Sequence, residues 1–124
     1  MENNYQRGSI YWLLNNSKST GSEQHGIRPV IIVSNNKNNE HSPIVTVVPV
    51  TSQYKTKLPV HVLIPSLTQP TGYNLVLCEQ IMTVSKTRLV AYRGLIEEAI
   101  MKRINRALAI QLNLMEIPQA LNKN

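Results

Sequence analysis

The sequence predicts a mainly β fold with one C-terminal helix, arranged as a small, strongly bent antiparallel barrel, with an open α+β sheet as the alternative. Three observations predict it. Short runs rich in β-branched residues recur between Ile10 and Tyr92, turn-forming residues separate these runs, and the hydrophobic period then lengthens to that of a helix. The length of 124 residues suits a single domain over residues 1–124, with its core at about 7–114.

The first half of the chain contains three predicted strands, which lie at residues 10–14, 29–33 and 44–50. The second and third are continuous β-branched runs, a pattern typical of strands that are buried on both faces or closed into a barrel. The polar stretch from Asn15 to Gly26 is predicted to be a long loop, and Asn35–Ser42 is predicted to be a turn.

The second half contains three further predicted strands, at residues 60–64, 75–84 and 89–92, of which the middle one is the longest. A turn-rich connection over residues 65–73 separates the first two.

The last element is a predicted helix from about Glu97 to Leu112. Apolar residues recur at helical spacing on one face of this helix: Ile100, Met101, Ile104, Ala107, Leu108 and Leu112. We assign the stripe of Ile100, Ile104 and Leu108 to the core. Asn113 suits a C-terminal stop, and Pro118 lies beyond it.

The charge balance indicates a polyanionic partner. Thirteen Lys and Arg residues against seven acidic ones give a net charge of +6, so nucleic acid is the leading candidate. All seven acidic residues are Glu, and only Glu23, Glu40 and Glu79 lie between Gly8 and Gly94. Such scattered carboxylates argue against a bound Mg²⁺ ion. We therefore expect chemistry without a metal or another cofactor.

The features that report on location favour the cytoplasm. No stretch approaches the roughly 18 apolar residues of a membrane span, and the N-terminal segment lacks the pattern of a secretory signal. The single cysteine, Cys78, lies in an apolar run and cannot form an internal disulfide.

Polar side chains gather where two predicted strands meet loops. The segment over residues 21–30 ends the long loop, enters a strand and carries Glu23, Gln24, His25 and Arg28. The segment over residues 42–52 runs along a strand and ends with the hydroxyls of Thr51 and Ser52.

Taken together, these two segments resemble the MazF/PemK family of toxin endoribonucleases. The resemblance continues in the same order through Arg7–Tyr11, Lys57–Val62 and Leu77–Leu89, and it covers residues 6–114. It implies an SH3-like barrel that forms homodimers and cuts single-stranded RNA at short sequences without a metal, leaving a 2′,3′-cyclic phosphate and a 5′-hydroxyl. It also implies a toxin that inhibits translation and growth, and a cognate antitoxin whose acidic, disordered tail occupies the RNA groove.

The resemblance implies three catalytic residues: Arg28, Thr51 and Glu23. A fixed guanidinium and a hydroxyl donor can stabilise the negative charge that gathers on a phosphate while the ribose 2′-hydroxyl attacks it. Glu23 or His25 could act as base or acid, and the sequence does not choose between them. In a structural interpretation, Arg28 would instead cap a strand edge or pair with Glu23, and Thr51 would form a turn.

The expected RNA-binding residues are Gln24, His25, Ser52, Gln53 and Gln80. Tyr54 and Tyr73 are the expected stacking partners, since bases of single-stranded RNA are often stacked on aromatic rings. In a structural interpretation, His25 would be solvated and Gln80 would satisfy backbone groups.

Two other classes of function remain open on the sequence alone. One is a non-catalytic RNA-binding module on the same barrel, and the other is a gyrase-poisoning toxin of similar architecture. The cleavage sequence is also open, because Met82 stands where relatives often carry Arg, and residues 65–74 lack the Arg and Asp of a PemK-like subgroup.

Overall fold

The described strands form one antiparallel sheet in the computed structural model, which describes residues 5–15, 26–53 and 58–117. In chain order the strands are β1 (Ser9–Asn15), β2 (Gly26–Ile32), β3 (Ile44–Thr51), β4 (His61–Pro65), β5 (Tyr73–Leu77), β6 (Met82–Ser85) and β7 (Leu89–Leu95). The helices are α1 (Asn36–His41) and α2 (Glu98–Gln111), and a 3₁₀ turn covers Lys86–Arg88.

The strand order within the described chain is β4-β5-β3-β2-β1-β7, and β6 also pairs with β3. Every ladder is antiparallel. The prediction of a mainly β antiparallel fold with a C-terminal helix is confirmed. The sheet is not closed, because no described ladder joins its two end strands, β4 and β7.

Strand β3 lies at the centre of the sheet and has neighbours on both edges. One edge pairs with β2, and the other pairs with β6 as far as Val47 and with β5 from Val50 onward. Pro49 lies between the β6 and β5 ladders, where that edge of β3 has no strand partner. Proline suits this position because it has no backbone N–H to be left unpaired. The C-terminal end of β3 leads into the candidate site described below.

The core is divided between the two faces of the sheet, because side chains alternate along each strand. Ile31 and Val48 belong to one cluster, and Val30 and Val47 belong to the other. Helix α2 covers the first cluster with a buried face, as its periodicity predicts: Ile100, Ile104, Ala107 and Leu108.

Helix α2 ends at an asparagine in the left-handed conformation, which confirms the predicted stop. Asn113 has φ of 61°. Its backbone N–H donates to the carbonyl of Ile110 at 3.0 Å, and the N–H of Leu114 donates to that of Ala109 at 2.7 Å. These two bonds form a Schellman motif, in which the last carbonyls of the helix are satisfied.

The prediction of a turn over Asn35–Ser42 was wrong in type, because this segment contains α1. The side chain of Asn35 accepts a hydrogen bond from the backbone N–H of Asn38 at 2.8 Å and so caps the helix N-terminus. Asparagine favours both turns and helix caps, so the composition of this polar segment did not distinguish the two.

The prediction of one long strand over residues 75–84 was also wrong, because residues 78–81 leave the ladder and separate β5 from β6. The N–H of Gln80 donates to the carbonyl of Leu77 at 3.1 Å and closes a turn. The two strands flank this turn along the same edge of β3, so residues 78–81 form a bulge in that edge. Glu79 and Gln80 lie in this bulge.

The outermost strand, β7, pairs irregularly with β1. The register shifts between Ile10 and Tyr11 and again between Trp12 and Leu13. Gly94, near the end of β7, has φ of 143°, a conformation that glycine adopts without steric cost. This edge strand is therefore bent by β-bulges.

Candidate functional site

An open cleft lies where β2 begins, where β3 ends and where the chain turns after β5. Its volume is about 270 Å³, and polar side chains from all three places line it. They include most of the described residues that the sequence predicts for the site: Arg28, Thr51, Ser52, Gln53 and Gln80. Residues far apart in the chain are thus brought together.

Arg28 and Thr51 come from two neighbouring strands, just beyond the ladder that joins them. Val30 pairs with Pro49 at the end of the β2–β3 ladder, and Arg28 lies two residues before Val30, while Thr51 lies two residues after Pro49. Both residues line the cleft.

Arg28 is exposed, and no other charged residue lines the cleft in the described part of the chain. Its guanidinium makes no hydrogen bond or ion pair with a described residue. No described carboxylate competes for it, because the ion pairs lie elsewhere, between Glu40 and His41 and between Glu79 and His61. Among the described residues, Arg28 is therefore the one cation that a phosphate in the cleft could contact.

The hydroxyl oxygen of Thr51 accepts a hydrogen bond from the backbone N–H of Gln53 at 3.1 Å. This short turn orients the side chain at the end of β3. The hydroxyl proton is not used in that bond, so it can be donated to a group in the cleft. Thr51 is partly buried, whereas Ser52 and Gln53 are exposed.

Gln80 enters the cleft from the bulge between β5 and β6 and is exposed. Its side-chain amide offers both donors and an acceptor, the combination needed to recognise the edge of a base.

The sequence did not single out three further residues that line the cleft: Trp12, Thr68 and Asn74. Trp12 is partly buried between the buried Tyr11 and Leu13 on β1, so strand alternation could have placed it on the opposite face. Asn74 is 6% exposed, and its side chain accepts from the N–H of Leu67 at 2.9 Å. It fixes the turn before β5.

Several predicted site residues receive no structural description. Glu23, Gln24, His25 and Tyr54 lie outside the described residues. Tyr73 is 58% exposed but is not part of the cleft lining.

The described residues contain neither a cluster of metal ligands nor a membrane-spanning helix. Nowhere in residues 5–15, 26–53 and 58–117 are three His, Cys, Asp or Glu side chains grouped so that they could hold a metal ion. No helix in these ranges is long and apolar enough to cross a membrane.

The chain is similar to known toxins over most of its length. Residues 6–112 match the family model of the PemK-like, MazF-like toxins of type II toxin–antitoxin systems. The chain is 40% identical to the endoribonuclease MazF of Staphylococcus saprophyticus over 118 residues, which cover 90% of this chain and 94% of that one. It is 36% identical to the endoribonuclease EndoA of Bacillus subtilis, with coverage of 90% and 97%.

A solved structure shows the same likeness in three dimensions. An endoribonuclease from a Mycobacterial species, in complex with its cognate antitoxin, superposes with a TM-score of 0.70 at 34% identity. The match covers 90% of this chain and 97% of that chain.

Proposed function

Because the chain belongs to the PemK-like, MazF-like toxins of type II toxin–antitoxin systems, we propose that the cleft where β2 begins and β3 ends is the place where it cuts RNA. The chain is an endoribonuclease, and its partner is a cognate antitoxin. Its closest functional alternatives, a gyrase poison and a non-catalytic RNA-binding module, lose support because the relatives are named endoribonucleases.

The reaction that suits these residues is attack by a ribose 2′-oxygen on the neighbouring phosphorus. The new bond to phosphorus forms as the bond to the 5′-oxygen breaks, which leaves a 2′,3′-cyclic phosphate and a 5′-hydroxyl. Negative charge gathers on the non-bridging oxygens during this step. Arg28 neutralises that charge, and the hydroxyl of Thr51 donates a hydrogen bond to it.

Two proton transfers accompany the reaction. The 2′-hydroxyl loses a proton, and the leaving 5′-oxygen gains one. Arg28 serves as a donor and not as the base, because a guanidinium with a pKa above ~12 stays protonated at neutral pH. We assign the proton transfers to Glu23 or His25, whose carboxylate and imidazole can both accept and donate a proton.

We assign substrate binding to the polar rim of the same cleft. Ser52, Gln53 and Gln80 would contact the RNA chain, together with Gln24 and His25. Trp12 provides an aromatic surface in the cleft, although the sequence-based expectation named tyrosines for that purpose.

The single observation that carries this proposal is that Arg28 and Thr51 line one cleft. The test is to incubate the protein with a mixed-sequence RNA in excess EDTA, beside Arg28→Ala, and to map the ends. Cleavage should persist in EDTA and fall by ~10²–10³ in the variant, as happens when one donor to a developing oxyanion is lost.

Arg106→Ala is the matched control, because Arg106 is an exposed arginine on α2 that does not line the cleft. It should cut RNA as the unmodified chain does. Cleavage abolished by EDTA, or undiminished in Arg28→Ala, would refute the mechanism.

Three wider features complete the proposal. The active form is a homodimer, residues 1–124 act as one ribonuclease domain, and the site of action is the cytoplasm, where the mRNA substrate is translated. Size-exclusion chromatography with light scattering would test the dimer.

A further inference from the structure

The imidazole of His61 connects two turns next to the cleft. His61 is 5% exposed at the start of β4. Its Nδ1 accepts a hydrogen bond from the backbone N–H of Leu58 at 3.1 Å, and its Nε2 lies 3.1 Å from Oε2 of Glu79. One buried ring thus joins the turn before β4 to the turn after β5.

These contacts fix the tautomer of the ring. Because Nδ1 accepts from Leu58, the proton of the neutral ring is on Nε2, from which it is donated to the carboxylate of Glu79. Reversing the tautomer would leave the Leu58 N–H and the Glu79 oxygen without this partner. His61 therefore holds Glu79 in one orientation.

The turn that Glu79 belongs to carries a residue of the cleft. Gln80 follows Glu79 directly, and both lie in the bulge that separates β5 from β6. Leu77, whose carbonyl accepts from Gln80 N–H, also lines the cleft. Backbone bonds hold this segment through Cys78, whose N–H donates to the carbonyl of Val60 at 3.3 Å, and through Gln80. The side chain of Glu79 adds a link to His61.

The pair uses one of the two oxygens of the Glu79 carboxylate. Oε2 contacts the ring of His61, and Oε1 is buried and has no hydrogen-bond partner among the described residues. Within the described part of the chain, the orientation of Glu79 therefore depends on His61.

We propose that His61 and Glu79 are positioning residues that hold Gln80 in the cleft. This inference rests on the proposed function of that cleft. Glu79 anchors the bulge, His61 orients Glu79, and Gln80 is thereby presented to the RNA in one orientation. Neither member of the pair needs to touch the substrate.

The test is a double-mutant cycle on the full chain, with Glu79→Ala, Gln80→Ala and the double variant. The readouts are kcat and KM on one RNA that contains a mapped cleavage site. Each single change should lower kcat/KM on the order of tenfold, as misplacing a substrate-positioning group does. The double variant should be no worse than Gln80→Ala, because Glu79 acts through Gln80.

Asn39→Ala is the matched control for loss of a buried polar anchor. Asn39 is 3% exposed in α1, donates to the carbonyl of Ser34 at 2.8 Å and does not line the cleft. It should lower the melting temperature without coupling to Gln80. Effects of Glu79→Ala and Gln80→Ala that multiply would overturn the positioning role.

Two variants of His61 separate its two bonds and also serve if Glu79→Ala does not fold. His61→Gln can still donate to Glu79, whereas His61→Asn can still accept from Leu58. His61→Gln should retain more cleavage. The reverse order would show that the imidazole acts only on the turn before β4.

Arg28→Ala in the same assay distinguishes the two proposals. Suppose that Arg28→Ala is inactive and that the effects of Glu79→Ala and Gln80→Ala on kcat/KM multiply. Only the positioning role would then be overturned. If Arg28→Ala cut normally, the proposed mechanism would fail. The double-mutant cycle would then be measured by the binding affinity for the same RNA with a 2′-deoxy sugar at the cleaved nucleotide, which cannot be cut. Effects of the two changes on affinity that multiply would again overturn the positioning role.

Discussion

Thr51 is the residue at which backbone geometry and proposed chemistry meet. Valine has nearly the same shape but no hydroxyl, so Thr51→Val removes the donor to the phosphate and the acceptor for the Gln53 N–H. We expect RNA cleavage to fall by ~10²–10³, in line with the loss of one oxyanion donor. Single-turnover cleavage rates would measure the effect.

Thr51→Ser is the control for this prediction, because serine keeps the hydroxyl and its bond to Gln53. It should cleave within about tenfold of the unmodified chain, since only a methyl group is removed. An undiminished cleavage rate in Thr51→Val, or a loss only in Thr51→Ser, would mean that the methyl group and not the hydroxyl matters at this position.

Cys78 should be chemically inert in the folded protein. It is fully buried, and this burial, with the nearby charge of Glu79, raises the pKa of the thiol from 9.0 to about 12. Because the thiolate is the reactive form, a thiol reagent at about pH 8 should label the native protein far more slowly than the denatured one. Rapid labelling of native protein would contradict this.

The same pKa shift predicts lower stability in alkali. The unfolded thiol loses its proton near pH 9, whereas the folded thiol keeps it until about pH 12, so the free energy of unfolding falls as the pH rises between these values. Cys78→Ala should show a smaller loss of stability between neutral pH and this range. Urea unfolding of both proteins at neutral pH and at a pH between these two values would test this prediction.

At the residue scale, the sequence located the cleft through its resemblance to a family and not through pattern. Spacing alone could not show that Arg28 and Thr51 line one cleft, because this depends on how β2 and β3 pair. Asn74 and Trp12 were missed for the same reason. Asn74 falls between the predicted connection over residues 65–73 and the predicted strand over residues 75–84, and nothing local marked it as a cleft residue.

Among the elements, α1 shows most directly how one side chain determines local structure. Asn35→Ala removes the cap of a six-residue helix. We expect it to lower the free energy of unfolding by about 0.5–2 kcal/mol, the usual effect of losing an asparagine cap. Urea denaturation would measure the change.

Lys37→Ala is the control in the same helix, because Lys37 is exposed and makes no described contact. It should change the free energy of unfolding by no more than about 0.5 kcal/mol. If the two variants were equally stable, the cap would contribute nothing to the folded state.

Helix α2 was predictable from the sequence, and the break between β5 and β6 was not. The apolar face of α2 repeats over several turns, so its period is clear. The run from Leu75 to Val84 contains apolar residues on both sides of Glu79 and Gln80, and its continuity hid the bulge. Only pairing with β3 shows where the ladder is interrupted.

For the whole molecule, the net charge of +6 predicts that RNA binding weakens as salt increases. For single-stranded nucleic acid, each neutralised phosphate contributes about −0.7 to the slope of log K against log salt concentration. Arg28→Ala should therefore make the slope shallower by about 0.7. Binding titrations at several salt concentrations, with an uncleavable RNA, would show it.

Thr51→Val serves as the control in these titrations, because it removes a phosphate contact without removing a charge. Its slope should equal that of the unmodified chain. A slope that is unchanged in Arg28→Ala would show that this guanidinium does not neutralise a phosphate.

The overall class of fold was predictable, whereas closure of the sheet was not. Periodicity identifies strands and a covering helix, but it contains no information on whether the first and last strands of a sheet pair with each other. The sequence therefore left both a barrel and an open sheet possible. The structure resolves this in favour of an open sheet among the described strands.

An open sheet has edge strands with unpaired backbone N–H and C=O groups, which can pair with a strand of another chain. The bent shape of β7 makes such pairing less favourable. A margin distorted at two points in its register cannot align with a straight strand over many residues. Amyloid-like stacking requires flat, regular templates. The register shifts of β7 thus make this edge of the sheet a poor template for the pairing of another strand.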